Sequence, residues 1–330
     1  MRNLTVTPSP HIGGPISTSR VMGAVCAALL PSCAVGVYRY GLRALFIILI
    51  SVASCLLFEY LFCVLVRKKS TIGDLSAVVT GLLLAMNLSS QVPYFIPILG
   101  GFIAIVIVKM LFGGLGQNFA NPAITARIVL MVSFGSQMSV WAKPVNNLFA
   151  FDAATGPTPL AAPLLVSNGV RVLPFTFSDM LLGNTGGCIG ETCALALIIG
   201  GIFLMIIKVI KPHIPIAFIG TVFVLTLIYT KSIDHTIYYT LAGGLMLGAF
   251  FMATDYTTSP ITNKGKIIFG IGCGLITFVI RFFTNFPEGV SFSILLMNFL
   301  CPLIDDYTQT KPIGATPKVK TASAKEAVKA

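Results

Sequence analysis

Long runs of apolar residues, separated by short polar stretches, fill the chain from residue 21 to residue 305. A helix needs roughly 20 apolar residues to cross the hydrocarbon core of a bilayer. The pattern therefore predicts ten membrane-spanning helices, of which the third is the weakest because Asp74 starts it and Asn87 falls near its end. The predicted spans are 21–38, 42–66, 75–90, 93–112, 121–140, 190–209, 214–230, 236–252, 266–284 and 289–305.

The composition supports this interpretation. Hydrophobic residues make up 55% of the chain and charged residues only 10%, against about 25% charged in soluble proteins, and the mean hydropathy is +0.90. A soluble particle with this composition would lack a polar surface. Most of the eight cysteines lie inside apolar runs, which excludes a secreted disulfide scaffold. We therefore expect an all-α integral membrane protein in contact with the lipid bilayer.

The basic residues predict the orientation of the chain. Its net charge is +11, and in membrane proteins such an excess collects on the cytoplasmic side, so no nucleic-acid partner is expected. With ten spans both termini share one side. That side carries ten basic residues before any in the tail, and the other carries six: Arg39, Arg43, Lys143, Arg171, Lys231 and Arg281. The count predicts cytoplasmic termini and a long loop, 141–189, on the opposite side.

Five predicted spans precede the long loop and five follow it, so any internal repeat must be inverted in the membrane. The sequence thus divides into an N-terminal cytoplasmic arm (1–20), a first five-helix repeat (21–140), the loop (141–189), a second repeat (190–306) and a basic flexible tail (307–330). Two similar interruptions, 112–122 and 252–260, each follow a span and end in proline. They are either ordinary loops or a binding site between repeats.

The long loop contains a stretch with a restricted backbone, Asp152-Ala-Ala-Thr-Gly-Pro-Thr158. Gly156 permits a positive φ, whereas Pro157 and Pro159 fix φ and restrict the residues before them. From the residues alone this stretch is either a hydroxyl-rich turn or a functional segment.

The same stretch resembles the flavin-attachment motif of a family of membrane proteins, the D subunits of Rnf electron-transport complexes and the B subunits of sodium-pumping NADH:quinone reductases. In that family the last threonine of a Ser/Thr-Gly-Ala-Thr sequence carries FMN through a phosphodiester bond. The resemblance implies covalent FMN on Thr158, with Asp152, Thr155 and Gly156 forming the rest of the motif; Pro157 departs from the usual alanine. Further similar stretches are 9–11, 74–87, 113–123, 252–262, 286–289 and 297–305.

The resemblance also implies a function. The chain would be a membrane subunit of an ion-translocating ferredoxin:NAD⁺ oxidoreductase in the bacterial cytoplasmic membrane, not catalytic alone. Its partners would be the A, B, C, E and G subunits of an Rnf complex, of which the last, a flavoprotein, would be the electron partner. A second, non-covalent flavin, riboflavin, is expected at the interruptions 113–123 and 252–262. Asp255 and Asp305 are the implied candidates for Na⁺ uptake.

The residues suggest no other catalytic centre. Cys188 and Cys193 match no recognised iron–sulfur spacing, and a GxGxxG sequence is absent, so NAD and ferredoxin would bind other subunits. Ionisable residues in or beside the spans are functional candidates because burying them in lipid is costly. These are Glu59, Asp74, Lys109, Arg127, Glu191, Asp255, Arg281, Glu288, Asp305 and Asp306.

Among those ionisable residues, Lys109 and Arg281 are expected to extend to the membrane surface. A distal cation such as Arg171 is expected near the flavin phosphate. Two alternatives to the redox function stay open. One is a transporter or channel with inverted repeats and no redox cofactor, and the other is a structural membrane anchor.

Overall fold

The computed structural model describes residues 17–67, 71–145, 155–160, 165–167, 170–172, 174–284 and 288–309. Most of them are helical. The N-terminal arm before residue 17 and the tail after residue 309 lie outside these residues, as does Asp152 of the attachment motif.

The first half contains helices α1 to α6. Their bounds are Thr18–Tyr40 (α1), Leu42–Leu65 (α2), Ser76–Met86 (α3), Phe95–Phe102 (α4, which continues as a π-helix over Ile103–Met110), Pro122–Ser133 (α5) and Gly135–Met138 (α6). A 3₁₀ turn, Ile72–Asp74, precedes α3. Asn121 begins α5 by accepting backbone N–H groups, with Pro122 at the first helical position, where proline needs no hydrogen-bond partner.

The second half contains helices α8 to α13. Their bounds are Ala194–Ile206 (α8), His213–Thr230 (α9), Ile233–Leu241 (α10), Leu245–Leu247 (α11, which continues as a π-helix over Gly248–Met252), Asn263–Phe283 (α12) and Val290–Thr308 (α13). Between the halves lie strands β1 (Leu165–Ser167) and β2 (Val170–Val172) and helix α7 (Phe177–Leu182).

Five helices of the described residues, α1, α2, α9, α12 and α13, are long and apolar enough to cross a membrane. A multi-pass, mainly helical membrane protein is thereby confirmed. The other predicted spans are shorter or broken. Helix α3 has 11 residues, or roughly 16 Å at 1.5 Å per residue, which is too short for the span predicted at 75–90.

The predicted long loop, 141–189, contains a short hairpin and a short helix. Strands β1 and β2 pair antiparallel, with Leu165 opposite Val172 and Ser167 opposite Val170. Thr176 then begins α7 with a capping box in which Asp179 bonds back to the cap. These strands are too short to produce a clear alternating pattern in the sequence, and the mainly helical architecture is unaffected by them.

Irregular segments of the two halves meet in the interior. The Ile189 N–H donates to the Leu88 carbonyl at 2.9 Å, and the Gly190 N–H donates to the Met86 carbonyl at 2.9 Å. A Cβ atom on Gly190 would lie 2.5 Å from that of Met86, so only glycine permits this approach. Around this junction α1 packs against α8 and α5 packs against α13. The polar backbone between short helices is therefore satisfied inside the protein, as a lipid environment requires.

Candidate functional site

The attachment segment, residues 155–160, is fixed at its start by the end of the first half. Thr155 forms a β-bridge with Ala142, and the Gly156 N–H donates to the Trp141 carbonyl at 3.0 Å. A Cβ atom on Gly156 would meet the Lys143 side chain at 2.6 Å. The alkyl chain of Lys143 therefore lies directly against the glycine of the motif.

The end of the same segment is fixed by the second half. The Tyr238 hydroxyl donates to the Pro159 carbonyl at 2.9 Å, and Tyr238 is fully buried. Gly243 has φ +68°, and a Cβ atom there would lie 2.5 Å from Leu160 Cδ1. The break between α10 and α11 thus leaves space for the Leu160 side chain, and a residue larger than glycine at position 243 would occupy that space.

Thr158 is buried, with 5% of its surface exposed. Flavin attachment is simplest at a hydroxyl exposed on a polar loop. Thr158 is instead covered because its segment packs between the two halves. Thr158 lines a small cavity together with Thr185, Thr192, Glu191 and Glu288.

The residues around Thr158 fit a phosphodiester on one side only. A phosphate favours nearby cations and backbone N–H groups, and Lys143 beside Gly156 offers a cation. The cavity on the other side carries two carboxylates, Glu191 and Glu288, which repel a phosphate, and it has room for only about one water-sized particle. The sequence pointed to Arg171 as phosphate partner; its backbone pairs with Val166, and its side chain lies outside the described residues.

A buried ionic cluster adjoins this cavity. Arg127 of α5 forms an ion pair with Glu288, which precedes α13. Its Nη1 donates to Asn87 Oδ1 at 2.6 Å and to Ser291 Oγ at 3.0 Å. Its Nη2 lies 3.5 Å from Glu191 Oε1. We call Arg127, Glu191, Glu288 and their neighbour Cys188 the Arg127 cluster; its four members come from three separate parts of the chain.

Cys188 is the remaining member of the Arg127 cluster. Its Sγ donates to the Asn87 carbonyl at 3.2 Å and accepts from Arg127 Nη2 at 3.5 Å. Ligand atoms of Cys188, Glu191 and Glu288 lie within 4.8 Å of one another. The sequence identified each charged member as a residue that is costly to bury in lipid. Their association in one cluster depends on the tertiary fold, so their spacing in the sequence does not reveal it.

The two interruptions that the sequence singled out also meet. Asn118 Nδ2 donates to Thr257 Oγ1 at 3.2 Å, and Asn121 Nδ2 donates to the Met252 carbonyl at 3.2 Å. Each interruption follows a π-helix, Ile103–Met110 or Gly248–Met252, an arrangement frequent at functional sites. Between them lies a mostly apolar cleft. An apolar lining with a few polar groups at its edge is typical of sites that bind flat ring systems.

Asp255 and Asp305 occupy different positions around the second interruption. Asp255 lines the cleft and accepts hydrogen bonds from Thr257 Oγ1 at 3.0 Å and Thr258 Oγ1 at 3.4 Å. Asp305 accepts the Ile261 N–H at 3.0 Å, so it anchors the chain that follows the interruption. The geometry thus gives Asp255 access to a cavity and gives Asp305 a backbone partner.

A second buried ion pair lies beside the cleft. Lys109 Nζ, in the π-helix, is 2.7 Å from Glu59 Oε2 and 2.7 Å from Ser76 Oγ. Thr71 donates to the other Glu59 oxygen. Lys109 is 3% exposed, so the expectation that it extends to the membrane surface was wrong. Its hydrogen-bonding partners hold it inside.

Arg281 is also held by the protein. Its Nη1 donates to the Tyr239 carbonyl at 2.7 Å, and its Nη2 donates to the Ala242 carbonyl at 3.1 Å. The guanidinium therefore satisfies the carbonyls freed where α10 ends. Arg281 is partly buried in the last turn of α12, and its bonds to these carbonyls are favourable because a backbone carbonyl left unsatisfied inside a bundle is costly.

Comparisons with known proteins agree over nearly the whole chain. The model of the NQR2, RnfD, RnfE family matches residues 5–314. The D subunit of the Na(+)-translocating ferredoxin:NAD(+) oxidoreductase complex of Acetobacterium woodii is 46% identical over 325 residues, covering 98% of this chain and 99% of the relative. The D subunit of the proton-translocating ferredoxin:NAD(+) oxidoreductase complex of Clostridium ljungdahlii is 42% identical, covering 94% and 96%. The D subunit of an ion-translocating oxidoreductase complex of Stutzerimonas stutzeri is 37% identical, covering 92% and 94%.

Proposed function

Because the chain belongs to the NQR2, RnfD, RnfE family, we propose that it is a membrane subunit of an ion-translocating ferredoxin:NAD⁺ oxidoreductase and carries covalent FMN on Thr158. Near full-length similarity to the D subunits of two such complexes supports the assembly. Its partners are then the A, B, C, E and G subunits, the last of them as electron partner. The bacterial cytoplasmic membrane is the corresponding location, with cytoplasmic termini and the flavin loop on the opposite side.

One observation carries the flavin assignment: the segment that contains the motif threonine is held on both sides of it, at Gly156 by Trp141 and at Pro159 by Tyr238, beside a lysine. The bound FMN would supply one-electron chemistry. In this proposal, the chain would fix the attachment point rigidly, Lys143 would offset the phosphate charge, and the packed halves would exclude water from the ester oxygen. A flavin held this way cannot diffuse from its electron partners.

A second, non-covalent flavin, riboflavin, is proposed for the cleft between the interruptions. The support is its mostly apolar lining and the polar groups at its edge, among them Asn118, Asn121 and Asp255. Apolar side chains such as Phe250 and Leu83 form its walls and would contact the faces of a ring. A flavin here and one on Thr158 would lie at opposite ends of the segment from α10 to the second interruption.

Covalent attachment is testable on a denaturing gel under ultraviolet light. The full chain, produced in a host with the attaching enzyme, is expected to show flavin fluorescence that Thr158→Ala abolishes completely, because the ester oxygen is lost. Ser178→Ala removes an exposed hydroxyl from the same loop and serves as the control that keeps the signal. Fluorescence that persists in Thr158→Ala would mean that the flavin is attached to another residue. A wild-type band without fluorescence would favour the alternative function, a transporter or channel with no redox cofactor.

Ion uptake is proposed at the cleft, with Asp255 and Asp305 as the carboxylates. Asp255→Asn is expected to raise the Na⁺ concentration needed for half-maximal turnover of the complex by about tenfold, since a hard-oxygen donor is weakened. Asp305→Asn should act in the same direction, and Asp306→Asn, which alters an exposed neighbour, should not. An unchanged Na⁺ dependence in both of the first two variants would refute these roles.

A further inference from the structure

Two of the membrane-spanning helices, α9 and α12, begin at the same end of the bundle. They pack against each other, with Gly270 of α12 against Ala217 of α9 and Gly274, one turn later, against Thr221. Contacts that advance together along both helices mean that the helices run parallel. A helix N-terminus carries a partial positive charge, so two such charges lie close together at this end.

Three lysines line a pocket at the same end: Lys208, Lys211 and Lys266. The first two lie between α8 and α9, and the third lies near the start of α12. Lys211 Nζ donates to Asn263 Oδ1 at 3.1 Å, which joins the approach to α9 with the start of α12. Ser259 adds a hydroxyl group to the lining. Ammonium groups, a hydroxyl and helix N-termini are the donors that bind phosphate in proteins.

The charge of this basic pocket favours an anion. Its lining in the described residues contains three cations and no carboxylate. None of the three lysines forms an ion pair within the described part of the chain. Asp305 interacts electrostatically with Lys266, but one of its oxygens already accepts the Ile261 N–H. An anionic group in the pocket would therefore balance charge that the protein itself leaves in excess.

An apolar groove on the outer surface of α9 and α12 begins where the basic pocket ends. Its walls are mainly exposed apolar side chains, among them Ile216, Val224, Ile267 and Ile271. Its first residues, Pro212 and Ile267, directly follow Lys211 and Lys266. From residue 212 to residue 225 it extends along roughly 20 Å of chain at 1.5 Å per residue. That length exceeds half of the hydrocarbon core, which is about 30 Å thick.

Gly220 keeps the middle of the groove open. A Cβ atom on Gly220 would meet nothing within 4 Å, whereas Gly270 and Gly274 are needed for the close packing of α9 against α12. Glycine is unfavourable inside a helix, and no contact in the described part of the chain requires it at position 220. The space beside Gly220 thus suits an occupant from outside the chain.

We propose that the basic pocket and the groove together bind one anionic phospholipid of the membrane. Its phosphate would contact Lys208, Lys211 and Lys266, and an acyl chain would lie along Gly220. Basic pockets between membrane helices bind lipid head groups in this way. A helix of a partner subunit would cover the apolar groove, but it would leave the three lysines without an anion. This lipid site goes beyond the proposed redox function and does not depend on a flavin.

The test uses the full chain, purified and freed of lipid in an uncharged detergent. Phosphatidylglycerol is expected to raise the melting temperature in a saturable manner, as a ligand of the folded state does, whereas phosphatidylcholine with the same acyl chains should not. Lys211→Gln and Lys266→Gln should each raise the half-saturating phosphatidylglycerol concentration about fivefold, since each removes one cation near the membrane surface. Gly220→Leu should raise it about tenfold or more, because the new side chain occupies the groove.

The Gly220→Leu protein is expected to fold, since leucine is more favourable than glycine inside a helix and the space beside it is open. Gly220→Ala, which leaves most of the groove free, and Lys231→Gln, which removes an exposed lysine at the other end of α9, are the matched controls. Both should keep the wild-type response.

Three outcomes would overturn the inference. One is the absence of a phosphatidylglycerol response, or an equal response to phosphatidylcholine. Another is a response that the lysine variants and Gly220→Leu leave unchanged. The third is an equal response to inorganic phosphate alone that Gly220→Leu does not alter, which would assign the pocket to free phosphate and leave the groove without a role.

Discussion

Arg127→Met is expected to lower the free energy of unfolding by about 3–5 kcal/mol, because it leaves two buried glutamates without their cation. Arg127 binds Glu288 directly and is the nearest cation to Glu191. Asn87 and Ser291 would also lose their donor. Unfolding of the full chain from detergent micelles, followed by circular dichroism, measures the change.

A second variant separates the charge from the packing in this prediction. Arg127→Lys keeps a cation but loses the planar donor fork, so it should recover only part of the stability. Lys264→Met, which removes an exposed cation from the start of α12, should change the free energy of unfolding little. A stable Arg127→Met protein would mean that the two carboxylates are neutralised in some other way.

Lys109→Met is expected to have a comparable effect, about 3–5 kcal/mol, because Glu59 is fully buried and would keep only Thr71 as a partner among the described residues. The double variant Glu59→Gln/Lys109→Met should recover most of the loss. A neutral pair avoids the cost of a lone buried charge, and apolar or neutral replacements of buried ion pairs are often tolerated.

The same measurement as for Arg127 applies to this pair. The interaction energy between Glu59 and Lys109 follows from the double-mutant cycle. A double variant no more stable than Lys109→Met alone would contradict the explanation and indicate that Lys109 acts through packing in the π-helix. Circular dichroism of each variant shows whether the helices around the cleft that Lys109 lines are preserved.

The apolar pattern predicted the long helices well, because their length and composition are local properties. Helices α1, α2, α9, α12 and α13 lie within a few residues of the predicted spans. The pattern could not separate a full span from a short helix followed by buried irregular backbone, as at α3. There, residues 87–90 are buried although they are not helical, and the Leu88 carbonyl accepts the Ile189 N–H of the other half.

The candidate site was predictable only where it depends on local sequence. The two interruptions stood out through their glycines and prolines, and the structure brings them together at Asn118 and Thr257. The inverted repeat itself stays a prediction. The ion pairs of Lys109 and Arg127 were not predictable, since a single charged residue in an apolar run gives no sign of its partner. The burial of Thr158 depends likewise on contacts from Tyr238 and α10, distant in sequence.

The covered position of Thr158 has a consequence for how the protein matures. If Thr158 carries the proposed flavin, the enzyme that esterifies this hydroxyl would have to reach it before Tyr238 and Leu160 fix the segment in place. Cofactor loading would then belong to biogenesis, during or soon after insertion, and not to repair of a finished complex. A chain that docks its loop unloaded would stay unloaded for its lifetime, so the supply of the transferase, rather than of the flavin alone, would set the yield of working assemblies.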